Sequence, residues 1–165
     1  MGGLLEGKTI LVTGIITDAS IAFHAAAIAQ KEGAKVIITG LTERLRLIDR
    51  IAKRLPEEVP PAIGLDVTDD DDLRKLPDEI RRLAPEGIDG VLHSIAFAPK
   101  TLMGPDALPF LEAPSADAAK SFEISTSRGR SVMPQAWIIR TTTRSAAPDQ
   151  RARSDSARII AKERA

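Results

Sequence analysis

Four short runs rich in apolar and β-branched residues punctuate the first part of the chain: Thr9–Thr13, Lys35–Thr39, Ala62–Val67 and Ile88–Ser94, roughly 25 to 28 residues apart. Between them the apolar positions change to a helical spacing, over Ser20–Glu32 before Gly33, Glu43–Leu55 before Pro56, and Asp69–Leu83 before Pro85. Strands of this length with one helix between each pair suit parallel pairing, because a parallel connection needs a crossover. No side-chain identities recur at a fixed period, which argues against a solenoid. The pattern predicts an α/β fold with an open, doubly wound parallel sheet in strand order 3-2-1-4. Ile88–Ser94 is then an apolar edge, an association hazard.

Within the second helical stretch Leu45, Ile48, Ile51, Ala52 and Leu55 share one face, while Arg44, Arg46, Arg50, Lys53 and Arg54 lie mostly on the other. That is the stripe of a helix packed against a core. The acidic run Asp69–Asp72 lacks the alternation, turn glycine and closing glutamate of an EF-hand loop. Thr68 is expected to cap a helix whose first turn carries these acids, where the helix dipole favours them.

Composition changes the picture only by exclusion. The 165 residues suit one domain, and a hydrophobic fraction of 43% supplies a core. No run approaches the roughly 20 apolar residues of a membrane span, and the N-terminus has no basic segment followed by an apolar one, so a cytoplasmic protein is expected. With no cysteine there is neither disulfide nor thiol chemistry, and two histidines, His24 and His93, do not suggest a metal site. The net charge of zero conceals a division: residues 1–125 carry 14 Lys/Arg and 20 Asp/Glu, or −6, and residues 126–165 carry 9 and 3, or +6.

Candidate chemistry gathers where strands end. Gly14 follows the first run, where the chain must turn sharply, and Ser20 stands where the next helix begins, its hydroxyl placed to cap that helix or meet a phosphate. Only Gly14 matches the G-x-G-x-x-G dinucleotide fingerprint, so a strand-turn-helix without nucleotide stands as the alternative. Asp66 after Leu65, and His93-Ser94 before Ile95-Ala96-Phe97, place polar groups at the ends of the third and fourth runs. Ligands of open α/β sheets lie beyond these carboxyl ends. Singly, Asp66 also reads as a cap, Ser94 as a turn residue and His93 as a satisfied polar residue in the sheet.

Taken together, Gly14-Ile15-Ile16-Thr17-Asp18-Ala19-Ser20-Ile21-Ala22, Leu65-Asp66-Val67 and His93-Ser94-Ile95-Ala96-Phe97-Ala98 resemble the NADH-dependent enoyl-[acyl-carrier-protein] reductases of type II fatty-acid synthesis, of actinobacterial type, within the short-chain dehydrogenase/reductase superfamily. The resemblance covers residues 1–125 and implies a Rossmann-like NAD-binding domain. It implies that Gly14, Ile15, Ile16, Ser20 and Ile21 line the pyrophosphate and near ribose of NADH. Asp66 and Val67 would hold the adenine edge, with Leu41 flanking it. Ser94, Ile95 and Ala96 would run toward the nicotinamide, and Ile124 would be a more distant neighbour. Leu41-Thr42 offers no basic pair for a 2′-phosphate, so NADH is expected over NADPH, although Arg44 and Arg46 lie close by. The implied substrate is an enoyl thioester linked to acyl-carrier protein or CoA, with homo-oligomers in the family.

The family's tyrosine and following lysine have no counterpart, and the sequence contains no tyrosine. No residue of this chain is therefore assigned a catalytic role; Lys120, Lys162 and Ser125 are the conceivable stand-ins, in segments not patterned to face a nicotinamide. Residues 126–165 place Arg128, Arg130, Arg140, Arg144, Arg151, Arg153, Arg158 and Arg164 among Ser, Thr and Ala, a low-complexity basic tail expected to be disordered. The Rossmann-like domain is thus expected to be truncated. A reading-frame shift near Ser125 would account for the change; a divergent tail is the alternative. The rival function is a non-catalytic α/β fragment holding a nucleotide or partner. Trp137 is the one aromatic residue of the tail, and no stacking platform accompanies it, so nucleic-acid binding ranks low.

Overall fold

The computed structural model describes residues 2–105 and 107–127. Strands β1 (Thr9–Val12), β2 (Lys35–Gly40), β3 (Ile63–Gly64) and β4 (Gly90–Leu92) form one parallel sheet in the order β3-β2-β1-β4. Register is set by Leu11 opposite Ile37 and Val91, and by Thr39 opposite Ile63. Helices α1 (Ile21–Lys31), α2 (Leu45–Ala52), α3 (Asp70–Leu83) and α4 (Ser115–Phe122) complete the described elements used below.

Alternation along the strands divides the core into two layers, the Rossmann-like arrangement expected. Val12 and Ile38 pack with Ala22 and Ala26 of α1 and with Ile48 and Ile51 of α2. Their neighbours Leu11 and Ile37 face the other way, onto Leu73, Leu76 and Ile80 of α3 and onto Ile88. Leu11, Ile38, Ile48, Leu76, Ile80 and Ile88 are essentially fully buried, each worth about 1.5–3 kcal/mol of transfer free energy. A one-residue slip of either central strand would exchange the two layers, so the register is strongly specified. At the opposite end of the sheet from the site, Asp89 fastens β1, accepting from Thr9 N at 2.8 Å and from Lys8 Nζ at 3.2 Å.

The elements are shorter than their sequence patterns. The third strand, expected over Ala62–Val67, pairs only at Ile63–Gly64. Leu65 N still reaches Gly40 O, but Asp66 N turns to Asp72 Oδ2, and Asp66 Oδ1 accepts from Thr68 N and Thr68 Oγ1. Side chains have replaced the ladder. The fourth strand, expected over Ile88–Ser94, ends at Leu92 because Ser94 N donates to the Thr13 hydroxyl instead of to a strand carbonyl.

The cap of α3 also differs from expectation. Asp69, not Thr68, is the N-cap and accepts from Asp71 N at 2.8 Å. Thr68 is held in the Asx turn of Asp66, so its hydroxyl is committed backward rather than to the helix. The tail expected to be disordered lies, from residue 128 onward, outside the described residues.

Candidate functional site

A cavity of about 560 Å³ opens beyond the carboxyl ends of the strands. Its floor is set by the turn after β1. Gly14 has φ +86°, and a Cβ there would lie 2.2 Å from the carbonyl oxygen of Ser94. Glycine is required twice over, by the left-handed backbone and by the approach of the 94–97 loop. Gly40 plays a related part at the end of β2, where a Cβ would meet Cδ1 of Ile48 at 2.1 Å.

Ten of the twelve residues singled out from the sequence line this cavity. Gly14, Ile15 and Ile16 follow β1, Leu41 follows β2, Asp66 and Val67 follow β3, Ser94, Ile95 and Ala96 follow β4, and Ile124 comes from the turn after α4. The two others, Ser20 and Ile21, are not on its wall. Ser20 caps α1: its hydroxyl donates to Thr17 O at 2.6 Å and accepts from Phe23 N at 3.3 Å. Ile21 is 81% exposed.

The wall also carries residues the sequence did not single out as cofactor ligands. Thr39 and Gly40 finish β2, Glu43 follows them, and Leu65 and Thr68 flank Asp66. Thr39 and Gly40 were open to the same strand-end argument that selected Gly14. Phe97 and Lys120 close the side nearest β4. Lys120, expected to face no site, stands on the wall because α4 folds back over the 94–97 loop, its Nζ 5.9 Å from the centroid of the Phe97 ring. No spacing rule in the sequence reveals that approach. Lys162 lies outside the described residues.

A hydrogen-bonded chain fixes the loop after β4. Ser94 N donates to Thr13 Oγ1 at 3.2 Å, and that oxygen lies 3.2 Å from His93 Nδ1. His93 Nε2 lies 3.2 Å from the Ser125 carbonyl, which can only accept, so Nε2 carries a proton there, while the Thr13 hydroxyl also lies within donating reach of Leu92 O at 3.4 Å. Ser125 Oγ in turn accepts from Phe97 N at 2.9 Å and donates to Phe97 O at 3.3 Å. The Ser125 hydroxyl is spent on the loop. His93, Thr13 and Ser125 therefore join β1, β4 and the segment after α4 around the cavity.

Asp66 and Glu43 bring carboxylates to the cavity wall and Lys120 an ammonium. On the outer face of α3 the Arg74 guanidinium hydrogen-bonds Asp71 and attracts it, holding its carboxyl below the ordinary value, and Asp71 raises Arg74 in return. Among the described residues no group of three or more His, Cys, Asp or Glu is placed to hold a metal ion, and no helix is long and apolar enough to cross a membrane.

Comparison with known proteins adds a family. The family described as Enoyl-(Acyl carrier protein) reductase matches residues 14–144, past the boundary at 125 drawn from the sequence. The Mycolicibacterium smegmatis protein named Enoyl-[acyl-carrier-protein] reductase [NADH] is 49% identical over 140 residues, covering 81% of this chain and 51% of that protein. A Mycobacterium avium protein of the same name is 50% identical over 127 residues, 76% of this chain and 46% of its own length. The Neisseria meningitidis serogroup B protein named Enoyl-[acyl-carrier-protein] reductase [NADH] FabI is 34% identical over 107 residues, 64% of this chain and 40% of its own. The chain spans about half the length of these first two curated relatives. With a parallel 3-2-1-4 sheet and a family match over most of its length, the chain belongs to the enoyl-(acyl carrier protein) reductase family.

Proposed function

We propose that this chain carries the NADH-binding half of an enoyl-[acyl-carrier-protein] reductase, and that residues 1–125 form this incomplete NAD-binding domain. The observation that supports it most is the cavity beyond the strand ends, walled by Gly14, Asp66 and the 94–97 loop together. The residues present fit such a cofactor. Gly14 and Gly40 leave backbone where a side chain would fill space, Ile15, Ile16, Ile95 and Ile124 provide apolar walls, and Asp66 keeps Oδ1 bonded to Thr68 while its carboxylate edges the cavity. The fully buried Thr39 hydroxyl on the same wall has no partner among the described residues. Such an atom is costly in a sealed core and unremarkable beside a ligand or water.

In this reading Leu41 and Val67 flank the adenine, Asp66 accepts hydrogen bonds from the adenine edge, and Ile15, Ile16, Ser94, Ile95 and Ala96 steer the chain of the cofactor toward the β4 side. Ser20, the N-cap of α1, and Ile21, its first residue, act through the N-terminus of that helix rather than through the cavity wall. Bound NADH supplies the hydride for reduction of a 2-enoyl thioester. The chain holds the cofactor; a substrate linked to acyl-carrier protein follows the names of the relatives, while a CoA-linked substrate, a homo-oligomeric whole and a cytoplasmic setting are what the family resemblance implies.

The test is a titration of the purified 165-residue chain with NADH, followed by displacement with ADP. Saturable NADH binding reversed by ADP is expected. Absence of nucleotide binding in a chain that melts cooperatively would favour the non-catalytic partner-binding alternative.

A further inference from the structure

We propose that Asp72 is a positioning residue of the cavity, setting the gap between the turn after β2 and the turn after β3; the inference rests on the cofactor-half reading above and adds to it a side chain that is not itself on the wall. Asp72 Oδ2 accepts from Asp66 N at 3.0 Å and lies 3.4 Å from Thr42 Oγ1. Asp66 is on the cavity wall, and Thr42 stands between two residues that are, Leu41 and Glu43. One carboxylate oxygen from the first turn of α3 thereby ties together the segments that leave β2 and β3.

Both of its partners are prepared for this contact. Leu65 N makes the last bond to β2, at Gly40 O, and the next amide, that of Asp66, turns to Asp72. Gly64 leaves the space that the Thr42 hydroxyl occupies, since a Cβ there would lie 2.7 Å from Thr42 Oγ1. The Asp66 carboxylate is held through Oδ1 by Thr68 N and Thr68 Oγ1, so Thr68 fixes its side chain and Asp72 its backbone. In the cofactor reading Leu41 and Val67 flank the adenine and Asp66 meets its edge, which makes the gap between the two turns the width of the adenine slot. A ligand-facing group placed this way depends on the residue that supports it. Both donors to Asp72 are neutral and both meet a single oxygen, so the geometry asks for an acceptor rather than a charge. Asp71, one residue earlier, is exposed and aims its carboxylate at Arg74 instead.

The full chain, Asp72→Ala, Asp72→Asn and the control Asp71→Ala are titrated with ADP well below their melting temperatures, and amide hydrogen exchange is followed at Asp66. Loss of the acceptor predicts about a fivefold loss of ADP affinity and faster exchange of the Asp66 N–H in Asp72→Ala, with substantial recovery of both in Asp72→Asn and neither effect in Asp71→Ala. The sign is informative, because removal of a carboxylate otherwise favours an anionic ligand. Unchanged ADP affinity in Asp72→Ala overturns the proposal and leaves the cofactor-half reading standing. Equal losses in Asp72→Ala and Asp72→Asn, or a matching loss in Asp71→Ala, overturn it in favour of the charge at the start of α3. Failure of the unmodified chain to bind ADP sinks the cofactor-half reading, and the role of Asp72 with it.

Discussion

His93 and Ser125 are joined beside the cavity, the imidazole Nε2 lying 3.2 Å from the Ser125 carbonyl oxygen while Nδ1 lies 3.2 Å from the Thr13 hydroxyl. One side chain thereby ties the end of β4 to β1 and to the turn that follows α4. Replacing it with alanine removes both contacts and takes the imidazole donor from the Ser125 carbonyl, while the Thr13 hydroxyl keeps Ser94 N and Leu92 O. His93→Ala is expected to cost about 1–3 kcal/mol of stability and to weaken NADH binding several-fold, with His93→Asn intermediate. Thermal melts beside NADH titrations measure both; a full-affinity His93→Ala protein would show that the 94–97 loop holds its place without this bridge.

The two close-packed glycines are expected to differ sharply. Gly14 combines a φ of +86° with a Cβ position 2.2 Å from backbone, which cannot yield. Gly40 has no such φ, and its obstacle is the tip of the Ile48 side chain. Gly14→Ala is expected to lose at least about 1–2 kcal/mol from backbone conformation alone, with displacement of the 94–97 loop and loss of nucleotide binding added. Gly40→Ala should cost less and melt closer to the unmodified protein, through an adjustment of Ile48. Urea denaturation of both variants decides the order, and a reversed order contradicts this account.

How far these features were legible depends on whether their cause was local. The turn at Gly14 and the helix after Ser20 follow from a β-branched run, a glycine and a capping residue within a dozen positions, and the apolar spacing of Ile48, Ile51 and Ala52 gave the buried face of α2. The shortening of β3 was not legible. It depends on Asp66, Thr68 and Asp72 competing for backbone groups, and the same competition moves the cap from the expected Thr68 to its neighbour Asp69. Phe97 and Lys120 meet only because α4 returns over the sheet edge, a tertiary event with no periodic trace.

Helix α3 contains Pro77 well inside its span. Proline there has no N–H to give to the Leu73 carbonyl, a defect that burial of Leu73, Leu76 and Ile80 outweighs. Pro77→Ala is expected to stabilise the protein by about 1–3 kcal/mol, less whatever the freer unfolded chain gains. A rise in melting temperature with unchanged NADH affinity is the outcome sought; a fall would mean that the proline ring makes packing contributions larger than the missing bond.

The exposed Asp71–Arg74 pair gives a pH dependence of known sign. Because the folded-state carboxyl of Asp71 titrates below its ordinary value of 3.8, the stabilisation is present above that value and disappears as pH falls through the lowered one. Both side chains are exposed, so the effect is small and screened by salt. Asp71→Asn should leave neutral-pH melting nearly unchanged and flatten only the acid limb at low ionic strength. A large neutral-pH loss would have to come from the first turn of α3 rather than from this pair.

Reductase turnover is the most demanding prediction. Hydride delivery to a 2-enoyl thioester develops negative charge on its carbonyl oxygen, and removal of one preorganised donor to such an oxygen typically costs about 100- to 1000-fold in rate. The sequence has no tyrosine to serve as that donor. The Ser125 hydroxyl is engaged with both backbone groups of Phe97, and Lys120 stands over the Phe97 ring, so neither is arranged as a substitute. The 165-residue chain is therefore expected to bind NADH weakly, with turnover at least about 100-fold below a hybrid in which residues 1–125 are joined to the remainder of an intact relative. Parallel NADH-oxidation assays with an enoyl thioester make the comparison. Activity in the hybrid alone identifies residues 1–125 as a sound cofactor half, whereas comparable turnover by the unmodified chain would mean that another group stabilises the oxyanion.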